Sequence, residues 1–232
     1  MTGTAYTTQM LGIEIPRIVV TVMVAAVPVI FAITVHEVAH GWTALQFGDP
    51  TAKAAGRLTL NPIKHIDPIG TVILPIGLLL VSGGQMAFGW AKPVPVAFQN
   101  LRNPRRDMVL VAAAGPASNL GMAMGWAWML SSVLSQFPQI AGDYWLVSMC
   151  MTGILINVLL AVFNMLPIPP LDGGRVLAGL LPPNMANLLH RIEPFGFLIV
   201  ILLLVTGNLI TILGPVLFPL LRFFQRTVAG LA

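Results

Sequence analysis

An all-α polytopic membrane protein is the fold class this sequence predicts, and three observations predict it. Charged residues make up 9% of the 232 positions, where a soluble domain carries about 25%. Hydrophobic residues make up 56%, and the mean hydropathy is +0.87. Long stretches carry no charge at all. A soluble domain of this size needs more charge to cover its surface, and a disordered chain would be poor in apolar residues. The expected architecture is a three-helix core, a re-entrant or β-hairpin-like segment, and one or two C-terminal membrane helices.

The elements follow from where charge stops. A helix needs about 20 apolar residues to span a bilayer. Ile18 to His36 has no charge before the histidine, and the apolar pattern runs on to Phe47. The residues before it lack the basic stretch of a cleavable signal peptide. Pro68 to Ala91 is uncharged too, but its apolar centre, Ile69 to Val81, has only 13 residues and contains Gly70, Pro75 and Gly77. Basic residues flank it on both sides: Lys53, Arg57 and Lys64 before, Lys92, Arg102, Arg105 and Arg106 after. Both flanks belong on the cytoplasmic side by the positive-inside rule. A re-entrant segment satisfies that and a single crossing does not. Met108 to Gly142 and Tyr144 to Leu171 each hold one span. Pro194 to Leu221 is uncharged but interrupted by Gly207-Asn208 and Gly214-Pro215. It reads as one span and a short interfacial or re-entrant piece, with a tight helical hairpin as the alternative. Arg175 and Arg191 then fall inside, the N-terminus falls outside, and Arg222 and Arg226 are left unplaced. With no repeat and no charged linker, residues 1–232 read as one membrane domain, its core about 18–176 and its C-terminal segment about 194–221.

The net charge of +4 comes from 12 basic and 8 acidic residues. In so oily a chain this points to basic loops at a membrane surface, not to nucleic acid. The lone Cys150 excludes an internal disulfide and a CxxC site, and its apolar surroundings read as those of a small buried hydrophobe. The five tryptophans fit interfacial anchoring and packing, and the twelve methionines fit helix filling.

Ionisable groups at membrane depth are costly and mark function. His36-Glu37-Val38-Ala39-His40 lies near the end of the first span. On a helix, residues i and i+4 share a face, so two imidazoles can share one metal ion. Glu37 lies about 100° round from His36, placed to take a proton from a water without ligating the metal. A catalytic zinc needs a third protein ligand. The candidates are Asp172, His65, Asp67, Glu193 and His190. Asp172 stands out because Asn164 to Leu171 carries three prolines before it and Gly173-Gly174 follow. Proline breaks the helix and glycine permits a sharp turn, so the segment unwinds and presents one carboxylate. The alternative is that Asp172 caps a helix starting there. His65 and Asp67 read as solvated loop residues in preference to gate or supporting groups.

At these residues the chain resembles the site-2 protease family of intramembrane zinc metalloproteases. Three blocks carry the resemblance: His36 to His40, Gly115-Pro116-Ala117-Ser118-Asn119, and Asn164 through Asp172-Gly173-Gly174. The stretch Gly56 to Pro62 with His65 to Pro68 is similar to the compact prokaryotic branch, and no PDZ insertion or CBS module is visible. The resemblance implies one Zn2+ per chain on His36, His40 and Asp172, with Glu37 as acid and base. It implies that Asn164 holds the substrate strand or stabilises the transition state, and that Asn119 lines the site or locks the core helices. The substrate implied is the transmembrane segment of another membrane protein, cut in regulated intramembrane proteolysis within a prokaryotic cell membrane; by the positive-inside rule the site is expected to open toward the cytoplasm.

A substrate helix must unwind to be cut, and its freed amides need partners in a bilayer. An edge strand can supply them. Ala87 to Val96 is the candidate, with Phe88, Gly89 and Trp90 at its start and prolines suited to an edge. Two other classes compete. A metal or proton transporter would spread its ionisable groups along several helices, and an inactive structural subunit would not keep all four of His36, Glu37, His40 and Asp172.

Overall fold

The computed structural model describes residues 7–10, 13–81, 89, 91–137 and 145–230. Strands β1 (Thr7–Met10) and β2 (Ile13–Pro16) pair antiparallel, with Thr7 opposite Pro16. Helix α1 follows (Arg17–Gln46), and Gly48 ends it at φ +108°, a conformation that L side chains rarely adopt. The loop beyond holds the short helix α2 (Thr51–Ala54) and a 3-10 turn at Pro62–His65. Next comes a π-helical turn (Pro68–Ile73), whose first amides, Ile69 and Gly70, donate to the Asp67 carboxylate. Helix α3 (Leu74–Val81) continues it. At about 1.5 Å per residue, Pro68 to Val81 reaches about 21 Å, short of a hydrocarbon core about 30 Å thick.

Of the proposed substrate edge, Phe88 and Trp90 lie outside the described residues. Gly89 is exposed, irregular chain. Residues 91–97 form a strap without a strand partner, and among the described residues the only strand pair is β1–β2. The strap's own chemistry explains this. Pro93 and Pro95 have no N–H to give a ladder, and its ends are tied to the Arg57 and Asp49 side chains and the His65 carbonyl instead.

Helices α4 (Pro104–Gln136) and α5 (Trp145–Asn164) pack with α1 into the expected three-helix core. Ala123, Ala127 and Leu130 of α4 meet Cys150, Ile154 and Val158 of α5 in one buried cluster. Small residues allow this approach, which matters in lipid, where packing and not water drives association. At Gly153 an added Cβ would stand 2.4 Å from the Trp126 ring.

Helix α6 (Asp172–Leu180) follows the proline-rich loop, then α7 (Pro183–Val205), bent by 47° between Leu189 and Arg191, and α8 (Asn208–Arg222). The C-terminal segment is therefore two helices joined at Gly207, whose φ is +73°. Gly214-Pro215 does not break α8, because Leu213 and Leu217 on either side are buried in the α4–α5 cluster and hold the helix together. Four helices are long and apolar enough to cross a membrane, and bent α7 makes a fifth if it counts as one span. Large apolar side chains such as Met23, Leu80, Leu202 and Val205 point outward.

Candidate metal centre

One end of the bundle gathers the ionisable residues. Helix α1 places His36 and His40 one turn apart, their ring centroids 4.6 Å from each other. Helix α4 passes directly behind them at Gly115, where an added Cβ would stand 2.4 Å from His40 Nε2 and 2.6 Å from His36 Cε1. Asp172 is the first residue of α6, yet its carboxylate does not cap that helix: it turns to the two imidazoles. Gly173 and Gly174 serve close approach and not a turn, since neither has positive φ. Cβ atoms there would meet the Met165 carbonyl oxygen at 2.3 Å and Pro169 N at 2.4 Å.

The three donor atoms form a near-equilateral triangle. His36 Nε2 and His40 Nε2 are 3.0 Å apart, and Asp172 Oδ2 lies 3.2 Å from the first and 3.3 Å from the second. Tetrahedral bonds of about 2.0–2.1 Å put ligand atoms about 3.3 Å apart. Both imidazoles are committed on their far side. His36 Nδ1 faces Asn119 Oδ1 at 2.6 Å, and His40 Nδ1 faces the Val111 carbonyl at 2.7 Å. Each partner is an acceptor, so in the neutral ring Nδ1 carries the proton and Nε2 turns a lone pair inward. Two lone pairs and a carboxylate oxygen then converge in a buried space, and Asp172 Oδ2 has no hydrogen-bond donor. Such a set is destabilised until a cation sits among the three atoms. Among the described residues it is the group of His, Cys, Asp and Glu able to hold a metal.

Glu37 projects from α1 toward the strap, and its Oε2 accepts the Val94 N–H at 2.7 Å. A cavity of about 270 Å³ lies here, lined by His36, Glu37, His40, Asp172, Asn164 and the strap residues Pro93, Val94 and Val96. Asn164 ends α5, with one amide hydrogen on the Leu160 carbonyl. Arg175, one turn along α6 from Asp172, lines the cavity over the Phe98 ring at 5.4 Å.

The strap is held from below by side chains of the loop after α1. Buried Asp49 accepts from Ala97 N at 2.7 Å, from Asn100 Nδ2 at 3.1 Å and from the Thr51 amide and hydroxyl. Burial opposes its charge, but these donors outweigh burial and hold its carboxyl below the usual range. Arg57 donates to the Lys92 carbonyl at 2.8 Å, and Lys92 N donates to the His65 carbonyl.

The other candidates stand elsewhere. His65 is buried, 3% exposed, with Nε2 on the Thr59 carbonyl, so the solvated-loop expectation fails for it: the loop folds over its own histidine. Asp67 caps the π-helical turn. His190 and Glu193 belong to α7; the His190 side chain lies outside the described residues, and Glu193 does not line the cavity. Asn119 does not line the cavity either; it is wholly buried behind His36. The residue that sequence reading missed is Asn157 of α5, fully buried and bonded to Asn119. An asparagine in an apolar span was the available signal.

Known proteins resemble this chain in sequence. The profile of Peptidase family M50 matches residues 131–206. The "Putative zinc metalloprotease YwhC" of Bacillus subtilis is 39% identical over 209 residues, covering 87% of this chain and 86% of that protein. The chain belongs to peptidase family M50. It is thus a zinc metalloprotease of the site-2 type and an integral membrane protein. The "Putative zinc metalloprotease Rip2" of Mycolicibacterium smegmatis is 34% identical over 180 residues, covering 78% of this chain and 66% of its own length. Its namesake in Mycobacterium tuberculosis is 34% identical over 179 residues, 76% of this chain and 65% of that one. No solved structure matches the chain. Zinc is the metal of this protease, and the donor set of two imidazoles and one carboxylate suits it.

Proposed function

We propose that this protease hydrolyses peptide bonds within or near transmembrane segments of other membrane proteins, with His36, His40 and Asp172 holding one zinc ion and Glu37 as general base. The observation that carries the reading is the convergence of three acceptor atoms, their tautomers set from behind, beside a carboxylate that none of them engages. Bound zinc would supply a Lewis acid for the scissile carbonyl and lower the pKa of the attacking water. The Val94 N–H fixes one oxygen of Glu37 and leaves the other to take the proton from that water. Glu37 then passes it to the leaving amine. Asn164 keeps a second amide hydrogen and its carbonyl oxygen for the substrate backbone.

The substrate strand would run along the strap, where Val94 and Val96 border the cavity and the prolines keep the chain extended. Strap and loop together would replace the amide partners that an unwound helix loses in lipid. The basic residues around this end support a site open to the cytoplasmic side of a prokaryotic cell membrane, and the relatives are bacterial proteins.

The test uses the purified protein and a membrane-embedded reporter. E37Q keeps about one zinc per chain and stops cleavage, whereas H40A and D172N lose zinc. Cleavage by E37Q at the wild-type rate refutes the mechanism, and cleavage of soluble peptides alone refutes the substrate class.

A further inference from the structure

Behind the metal centre a line of amides crosses all three core helices. Its far end is the Gly153 carbonyl of α5, which accepts from Asn157 Nδ2 at 2.9 Å. Asn157 Oδ1 accepts from Asn119 Nδ2 of α4 at 2.9 Å. Asn119 Oδ1 faces His36 Nδ1 of α1 at 2.6 Å. Both asparagines are wholly buried. Each link fixes the next. A carbonyl can only accept, so Asn157 must turn its NH2 to Gly153 and its oxygen to Asn119. Asn119 must then give its NH2 to Asn157 and show its oxygen to His36, which answers with Nδ1–H. The Ala32 carbonyl also accepts from Asn119 Nδ2, at 3.3 Å, and is the weaker of the two holds on that amide. The contact to Asn157 is shorter and is made to an oxygen with no helical role.

We propose that Asn157, which does not line the cavity, is a positioning residue that sets the tautomer of His36 and thereby the zinc affinity of the site. This rests on His36 being a ligand, as proposed above. Without Asn157 only the longer contact to the Ala32 carbonyl holds the Asn119 amide, which can then rotate and present its NH2 to His36. Nδ1 would then accept, Nε2 would carry the proton, and the lone pair would face away from Asp172 and His40. Groups that orient a metal-bound histidine in this way typically change metal affinity 10- to 100-fold when removed. Gly153 contributes twice: its carbonyl starts the line, and its missing side chain lets α5 approach Trp126 on α4.

The test compares N157L, N157D and H36A as full chains in detergent. Zinc affinity is read by competition with a chelator, and the His36 tautomer of the metal-free protein by 15N chemical shifts. Only four histidines are present, so H36A assigns the signal. H36A should lose zinc, and if it does not, the ligand assignment fails and not the relay. Given that loss, N157L should bind zinc at least tenfold more weakly and shift His36 toward the Nε2–H form. A buried, unpaired aspartate stays protonated, so N157D keeps one donor for Gly153 and one acceptor for Asn119. It should bind within about threefold of wild type and keep the Nδ1–H form. Wild-type affinity in N157L, or equal loss in N157D and N157L, overturns the proposal. Should N157L fail to fold, an Nε2–H signal or a tenfold loss in N157D overturns it alone.

Discussion

Replacing Gly115 by alanine separates the demands of the helix from those of the site. In an exposed helix interior the change would stabilise by about 0.5–1 kcal/mol, because glycine has the larger backbone entropy to lose. Here the new Cβ would stand 2.4 Å from His40 Nε2 and 2.6 Å from His36 Cε1, where ordinary contact begins near 3.4 Å. Neither ring can swing away, since each is held on its far side by Asn119 or the Val111 carbonyl. Helices α1 and α4 must therefore separate by about 1 Å, an overpacking cost of about 1–3 kcal/mol, which cancels or exceeds the gain in propensity. A shift of that size also opens the donor triangle, and a misplacement of about 1 Å commonly costs about 100-fold in rate. G115A should keep its helical circular dichroism, bind zinc at least tenfold more weakly by chelator competition, and cleave a membrane-embedded reporter about 100-fold more slowly. Wild-type zinc affinity and rate in G115A would refute the inference that α4 braces the two imidazoles.

Two further outcomes follow from contacts away from the triad. Asp49 has its carboxyl held below the unfolded value of about 3.9, so the folded protein binds that proton less readily, and the resulting stability is present at neutral pH and lost as pH falls through the folded value. The gap in thermal stability between wild type and D49N should narrow as pH drops from 6 to 3, and a gap that stays constant or widens shows that the strap is not held by this charge. G153A would force Cβ to within 2.4 Å of the Trp126 ring, so it should lower stability by about 1–3 kcal/mol in thermal unfolding, where helix propensity alone predicts a gain.

Much of this was legible because lipid leaves polar groups few places to be. Helix α1 differs from the charge-free run by one residue at each end, Arg17 and Gln46 against Ile18 and Phe47. Helix α4 starts at Pro104 and not near Met108, because proline suits a first turn and Arg105, Arg106 and Asp107 are tolerated at a helix end. Asp172 was legible as a carboxylate isolated among prolines and glycines; the reason for the glycines was not, since close approach to Met165 and Pro169 belongs to tertiary packing. His65 looked solvated because it stands in a loop between Lys64 and Asp67, and only the fold reveals the Thr59 carbonyl on its Nε2. Asp49 and Asn157 were missed for a related reason: each is defined by a partner 38 or more residues away.

The scarcity of charge acquires a structural meaning at this end of the bundle. Asp49, Asp67 and Asp107 each accept backbone amide hydrogens, from Ala97, from Ile69 and Gly70, and from Asn103. None of the three has a salt bridge to a basic residue among the described contacts. Carboxylates bonded in this way organise loops without needing long side chains, whose ordering carries a larger entropic cost. They fix the turn after α1, the start of the Pro68 segment and the first turn of α4, and so frame the strap that contacts Glu37. Asp172 differs from them in kind, because a buried oxygen of its carboxylate receives no amide. A chain that satisfies its other buried acids with backbone donors, and leaves this one facing two imidazole lone pairs, has reserved that oxygen for a cation.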